Sequence, residues 1–361
     1  MKNTAQPNGK NNGKKKELAP VKLVHIGKVK TKHPVVSLIE YDNGHFKEGT
    51  LKREEVLNFK PPAQHKLWLN VHGLQDADLI AEIGRIFKLH PLVLEDILNT
   101  SQRPKMDNYE GYLYIVMRYF SYDKTRKTLS SEQISLILGE NFVLTFQEKP
   151  TGSFEPTRQL LRTEGLHIRT AKTDYLAYAL LDALVDRYYF ILEDLSIDCE
   201  KLENQLLRKP TGSLLHSIHR LKRESMELRR SVWPLREVLN NLIRNDHGAF
   251  EATTILYLRD VYDHTVAFIE SLESIRDMLA GMLDIYLSSI SNRVNMELRA
   301  LTVVAMLFMP ATLIAGIFGM NFEYMPWLNH HNGFWWALAL MAGVATVMGT
   351  IFWRRQWLSQ R

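Results

Sequence analysis

Residues 301–321, LTVVAMLFMPATLIAGIFGMN, decide the reading of this chain. No charged side chain occurs between Arg299 and Glu323, and a helix needs about 20 apolar residues to cross a bilayer core of about 30 Å. A second uncharged run, FWWALALMAGVATVMGTIFW, occupies residues 334–353. A charge at the centre of such a helix costs about 2.5–3.5 kcal/mol on insertion scales, so two clean windows of this length read as membrane spans rather than buried core helices. The expected order is a first span over residues 300–319, an external loop over 320–333, a second span over 334–353 and a basic tail over 354–361.

The rest of the chain is water-compatible. Charged residues make up 24% of the 361 residues, and mean hydropathy is −0.19, so the apolar excess is local and a large soluble body precedes the spans. The net charge of +5 is concentrated in residues 1–20, a polar Asn/Gly/Lys arm carrying Lys2, Lys10, Lys14, Lys15 and Lys16. With no apolar run to engage secretion machinery, that arm reads as a disordered tail and not as a signal peptide. A nucleic-acid partner is not expected from so local an excess. The single Cys199 excludes an intrachain disulfide framework and suits a reducing compartment, most simply as an inert helical cysteine. Arg293 and Arg299 precede the first span, Arg354, Arg355 and Arg361 follow the second, and residues 319–333 contain no Lys or Arg. The positive-inside rule then places both termini in the cytoplasm, within a cell (inner) membrane, and the short loop outside.

Residues 21–165 alternate like a mixed α/β domain. VKLVHIG, PVVSLIEYD, KLWLNVHG, YLYIVMRYF, EQISLILG and NFVLTFQ are short β-rich runs broken by turn residues. DLIAEIGRIFKL and PLVLEDIL have helical spacing, the second with Pro91 at a first helical position. No Gly-rich phosphate loop, HExxH or nucleophile elbow is present, which argues against a nucleotide partner and against an enzyme. His25, His65, His72 and His90 lack metal-ligand spacing and read as structural or solvent-facing.

Residues 166–299 form a long-helix stalk in this reading: one helix near 172–207, a turn at KPTG, a second helix near 213–244 containing Pro234, and a third from about 250 onward. In the third, Val261, Phe268, Ile275 and Met282 recur every seven residues, with Thr265, Leu272, Leu279 and Tyr286 between them. That 3–4 spacing means lengthwise helix packing, either within the chain or between subunits. Nothing interrupts the pattern before the first span, so one helix of about 65–70 residues, about 100 Å long at 1.5 Å per residue, is expected to run from cytoplasm into the bilayer.

Two spans cannot enclose an ion path, so a pore would need several copies around an axis. Asn295, Leu298, Leu301 (or Thr302), Ala305, Met309, Thr312 and Gly316 fall on one stripe at steps of three and four. Polar or small positions alternate there with Leu and Met, which suits either hydration sites and a dewetting constriction or ordinary contact through small residues. Pro310 leaves a carbonyl for neighbours to satisfy. The second span has no comparable stripe, and Trp335, Trp336, Trp353 and Trp357 mark it as lipid-facing with an aromatic belt.

Gly319-Met320-Asn321, placed after one uncharged span and before a second that ends in basic residues, resembles the signature of the CorA family of divalent-cation channels. The resemblance continues through HPLVLEDILN (residues 90–99), YLRDVYDHT (257–265), YLSSISNRVN (286–295) and MPATLIAG (309–316) and covers nearly the whole chain after the arm. It implies an α+β cytoplasmic funnel domain followed by long helices and two C-terminal membrane helices, assembled as a homopentameric channel in the lipid bilayer with the first span lining the pore. It further implies influx of Mg²⁺, with Co²⁺ and Ni²⁺ as secondary ions, driven by the membrane potential and gated by cytoplasmic Mg²⁺.

By the same resemblance, Asn321 forms a ring of amide carbonyls at the outer mouth, with Gly319 and Met320 shaping its turn. Neutral oxygen ligands suit an ion that dehydrates reluctantly. Asn295 matches an inner polar ring, Thr312 a hydroxyl ring within the pore, and Leu301 and Met309 its hydrophobic constrictions. Asp96 and Asp260 match one intersubunit regulatory metal pair, and Glu95 and Asp182 match contributors to a second, so that bound Mg²⁺ offsets carboxylate repulsion and holds the assembly closed. The alternative for these acids is solvation, capping or ion pairing within the chain. Departures from the family pattern lie in the loop: Trp327 stands where many relatives have an acid, while Glu323 is kept and His330 and His331 are added. The histidines suit a softer ion if they ligate at all, and family loops attract cations electrostatically. Alternative readings keep the fold with Zn²⁺ or Co²⁺ as cargo, or make the chain a membrane-anchored sensor without transport.

Overall fold

The computed structural model describes residues 23–320, 323 and 331–355. The basic arm, Asn321, Trp327, His330, Trp357 and Arg361 lie outside the described residues. Two compact units divide the chain: one comprises Met1–Asp198 with Lys222–Arg276, the other Cys199–Leu221 with Asp277–Arg361.

The first unit is built on a seven-stranded sheet in the order β2-β1-β3-β7-β6-β5-β4. Its strands are β1 (Val35–Tyr41), β2 (Phe46–Leu51), β3 (Lys66–His72), β4 (Lys105–Tyr109), β5 (Tyr112–Asp123), β6 (Thr128–Gly139) and β7 (Phe142–Gln147). All neighbours are antiparallel except β3 and β7, where Leu67 pairs with Phe142 and His72 with Gln147 in parallel. Short helices α1 (Arg53–Leu57), α2 (Ala77–Ile86) and α3 (Pro91–Leu98) precede β4, and α4 (Glu155–Arg162) and α5 (His167–Thr170) follow β7.

Strand periodicity explains the two-sided core. Val36 and Leu38, Leu67, Leu69 and Val71, Tyr114 and Val116, Leu144 and Phe146 fall on one face and pack with Ile80, Ile83, Val93 and Ile97 of α2 and α3. Intervening positions such as Ile39, Trp68, Ile115, Leu136 and Leu138 are also buried. Central strands covered on both faces read as continuous apolar runs, which is why YLYIVM shows little alternation. Asp76 caps α2 by accepting from the Leu79 amide at 3.1 Å, and His90 Nδ1 accepts from the Leu92 amide at the start of α3. A Cβ on Gly84 would meet the Leu94 side chain at 2.6 Å, so a larger residue there would force Leu94 to shift between α2 and α3.

Four long helices complete the chain: α6 (Thr173–Arg208), α7 (Gly212–Arg244), α8 (Ala252–Phe318) and α9 (Gly333–Arg354). The expected bounds agree to within a few residues, and α8 runs for 67 residues with Pro310 inside it. Within the first unit α6 is tied to β5, where the Tyr188 hydroxyl donates to the Arg118 carbonyl at 2.5 Å and its ring meets Phe120 edge-on. The turn into α8 uses Asn245 and Gly248 at φ 52° and 65°, and Asp174 Oδ2 accepts from the Glu251 amide at 2.9 Å beside the helix start. The seven-residue seam of α8 is buried within the single chain: Val261 and Phe268 are 0% exposed, and Leu272, Ile275, Leu279, Met282 and Tyr286 are buried with them. Intrachain packing therefore consumes that seam.

One expected strand does not form. Of VKLVHIG, the described residues from Leu23 contribute only an isolated bridge between Ile26 and Asn99, because the segment runs beside the end of α3 and not along a sheet edge.

Candidate cation sites

Two places combine groups that can meet a cation. The first lies in the first unit, where α6 faces α8. Asp182 and Asp186 stand one turn apart on α6, and each places a carboxylate oxygen within 4.8 Å of the other and of a His264 ring nitrogen from α8. Asp260, one turn before His264, extends the group, with its Oδ2 3.9 Å from His264 Nε2. Burial, followed by repulsion from Asp186, pushes the Asp182 carboxyl up to about 6, against the attraction of His264. Asp182 and Asp186 can offer carboxylate oxygens, and His264 one imidazole nitrogen, to a divalent ion. Sequence reading picked out Asp182 and Asp260 but missed Asp186 and His264. The available signal was the DxxxD and DxxxH spacing, which puts each pair on one helical face.

Asp96 sits elsewhere, at the end of α3, and is held within its own chain. Lys105 Nζ is 2.6 Å from Asp96 Oδ2, and Gln102 Nε2 donates to Oδ1 at 2.6 Å. Lys105 also lies 2.9 Å from Asp107 Oδ2. Burial alone would lower the Lys105 ammonium, but Asp96 and Asp107 outweigh it and its pKa is raised. Among the described residues no hydrogen bond or ion pair joins Asp96 to Asp260. Glu95 is exposed next to Asp96.

The histidines without ligand spacing have local partners. His65 Nδ1 pairs with Asp42 and stacks on His45, His72 Nε2 is 2.6 Å from Gln147 Oε1, and His90 caps α3. His25 has both ring nitrogens buried without a partner.

The second place is the end of α8. Its apolar window has a mean hydropathy of 2.2 and is only 6% buried, and the window of α9 is likewise 6% buried. A core helix of a soluble protein would be covered; these are not. Every residue of the polar-and-small stripe, from Asn295 through Leu298, Leu301, Ala305, Met309, Thr312 and Gly316, is exposed in the chain. Leu301 and Met309 are 67% and 68% exposed. An open groove of about 630 Å³ runs along Ala305, Met309, Thr312, Gly316 and Met320. Thr302 and Thr312 donate their hydroxyls to the carbonyls of Leu298 and Phe308 at 2.8 and 2.9 Å, which satisfies each O–H and leaves oxygen lone pairs facing outward. Gly319 lines a cavity of about 420 Å³ with Ala315, Gly333 and Ala337, where α8 ends and α9 begins. Asn321 falls outside the described residues, and Glu323 is exposed.

A mixed α/β unit, long helices and two uncovered apolar helices at the C-terminal end, with an acidic cluster on the first unit, are the parts expected of a membrane transporter. The family described as "CorA-like Mg2+ transporter protein" matches residues 63–355, and the chain belongs to that family. It is 44% identical over 345 residues, 95% of this chain and 98% of the relative, to the "Cobalt/magnesium transport protein CorA" of Thermotoga maritima. It is 33% identical, over 84% of this chain and 92% of the relative, to a putative metal ion transporter of Bacillus subtilis. The complete structure of the CorA magnesium transporter from Methanocaldococcus jannaschii has the same fold, with a TM-score of 0.78 at 22% identity over 91% of this chain and 99% of that one. Membership of a transporter family sets the chain apart from enzymes.

Proposed function

We propose that this chain assembles as a homopentamer in the cell membrane and conducts Mg²⁺, with Co²⁺ and Ni²⁺ as secondary ions, inward along the α8 stripe. The observation that carries the reading is the stripe itself: seven residues in helical register, all uncovered in the single chain, on a helix whose apolar window is 6% buried. Two helices cannot close a channel, so those residues need further copies to face. Asn321 supplies the outer selectivity ring with Gly319 and Met320 behind it, Thr312 a hydroxyl ring inside, Met309 and Leu301 the dry constrictions, and Asn295 the inner polar mouth. Glu323 adds negative charge outside.

The driving force is the membrane potential, with both termini in the cytoplasm. Each unit charge gains about 2.3 kcal/mol per 100 mV, so a divalent cation gains about twice that without nucleotide hydrolysis. Cytoplasmic Mg²⁺ regulates the channel by binding between subunits: Asp96 of one chain with Asp260 of the next, and Glu95 with the Asp182 group. Burial first and the Asp186 carboxylate second disfavour charge on Asp182, and a bound cation would offset both. Emptying the sites at low internal Mg²⁺ loosens the assembly and favours conduction.

Ion-competition uptake into proteoliposomes tests this reading. Mg²⁺ uptake that rises with an imposed inside-negative potential supports it; uptake of Zn²⁺ or Co²⁺ that excludes Mg²⁺ changes the cargo; absence of flux for every ion, from correctly assembled oligomers at low internal Mg²⁺, makes the chain a sensor without transport.

A further inference from the structure

Asp96 is occupied by its own chain before any metal arrives. Lys105 Nζ takes Oδ2 at 2.6 Å and Gln102 Nε2 takes Oδ1 at 2.6 Å. The Asp96 side chain is 18% exposed and the Lys105 side chain 34%, so the pair is sheltered without being sealed. An ammonium at that distance uses the same lone pairs a divalent ion would need.

The two halves of this arrangement differ in freedom. The backbone at Gln102 is braced: its main-chain N–H donates to Gln133 Oε1 at 3.1 Å, and Gln133 Nε2 donates to the Asp96 main-chain carbonyl at 2.9 Å. Lys105 instead has a second anionic partner, Asp107 Oδ2, at 2.9 Å. Asp107 lies two residues along β4 and so on the same face as Lys105, and β4 is the terminal strand of the sheet. The ammonium can therefore leave Asp96 by side-chain rotation alone and keep a counter-ion.

We propose that Lys105 is a tethered cation that competes with Mg²⁺ for Asp96 and so sets the Mg²⁺ concentration at which the cytoplasmic site fills. This rests on the reading of Asp96 as a metal ligand. Filling the site is then an exchange in which Mg²⁺ takes the Asp96 oxygen and Lys105 moves onto Asp107. When only a fraction of the protein is competent to bind, the apparent dissociation constant rises by the inverse of that fraction, so an ammonium on Asp96 for about nine-tenths of the time raises it about tenfold.

The test is a Mg²⁺ titration of the melting temperature of the full-length assembly in detergent, taking the component lost in Asp96→Asn as the signal. Lys105→Met is expected to shift half-saturation to about tenfold lower Mg²⁺, and Asp107→Asn, which removes the alternative partner, to shift it upward. Arg103→Gln removes the same charge from the same segment without touching Asp96 and is expected to leave half-saturation within about twofold of the native value, since exposed charges are screened. Half-saturation unchanged or raised in Lys105→Met, or lowered equally in Arg103→Gln, overturns the competition while leaving Asp96 as a ligand. A full Mg²⁺ response in Asp96→Asn overturns the metal-site reading itself. Should Lys105→Met fail to assemble, the upward shift in Asp107→Asn decides alone, and no shift there counts against the proposal.

Discussion

The Thr312 hydroxyl donates to the Phe308 carbonyl at 2.9 Å, one turn back along α8. This fixes what the residue offers across the groove: its hydrogen is used internally, and its oxygen is presented as an acceptor. A hydrated cation donates hydrogen bonds through its water shell, so an acceptor ring matches it and a donor ring would not. Thr312→Val keeps the shape and removes the oxygen. Mg²⁺ flux through reconstituted protein should fall about tenfold, the order expected for one charge-assisted contact, with unchanged oligomer size on a sizing column.

Met309 carries the opposite chemistry on the same stripe, with an apolar side chain 68% exposed in the chain. A ring of such side chains resists wetting. Met309→Ser should keep the channel hydrated, so that Mg²⁺ flux persists at internal Mg²⁺ concentrations that silence the native protein. Single-channel recording with high internal Mg²⁺ checks this; a silent variant would mean that the constriction lies elsewhere.

The Asp182 group gives a pH dependence with a defined sign. Burial and Asp186 raise Asp182 from 3.8 to about 6, so the folded metal-free protein holds that proton more tightly than the unfolded chain. The resulting stabilisation is fully present below about pH 4 and is lost as pH rises through about 6. On the proposed reading, a divalent ion held by Asp182, Asp186 and His264 takes the place of that proton. Scanning calorimetry should show the metal-free melting temperature falling across that interval, with added Mg²⁺ restoring it near pH 7 and not near pH 5. Asp182→Asn should flatten both effects.

The Tyr188–Arg118 bond predicts a purely structural effect. Tyr188 is 1% exposed and its hydroxyl meets the Arg118 carbonyl at 2.5 Å. Tyr188→Phe should destabilise the soluble unit by about 1–2 kcal/mol, seen as a lower urea midpoint, while ion selectivity stays as in the native protein.

Much of this fold can be read from periodicity. The Val261, Phe268, Ile275 and Met282 repeat locates the buried seam of α8, and the runs around Leu69, Ile115 and Leu144 locate β3, β5 and β7. Strand β2 escaped because it is an edge: four of its six residues are exposed, so FKEGTL has no apolar face to betray it. VKLVHIG misled for the converse reason, since alternation marks a strand only if a sheet edge is there to receive it. Among the candidate sites, the stripe from Asn295 to Gly316 was legible because one helix carries it entirely. The approach of Asp186 and His264 joins two helices 78 positions apart in sequence (264 − 186), and the Lys105–Asp96 pair joins a helix end to a strand start. No local pattern encodes either.

If Asn321 is the outer filter of the proposed Mg²⁺ pore, its side-chain amide is required for influx. The most direct test is Mg²⁺ influx into proteoliposomes, followed with an internal Mg²⁺-sensitive dye under an inside-negative potential, for native protein and Asn321→Ala. Selective Mg²⁺ influx in the native protein, lost in the variant while its oligomer stays intact, is the predicted result. Equal Mg²⁺ influx in both would contradict it.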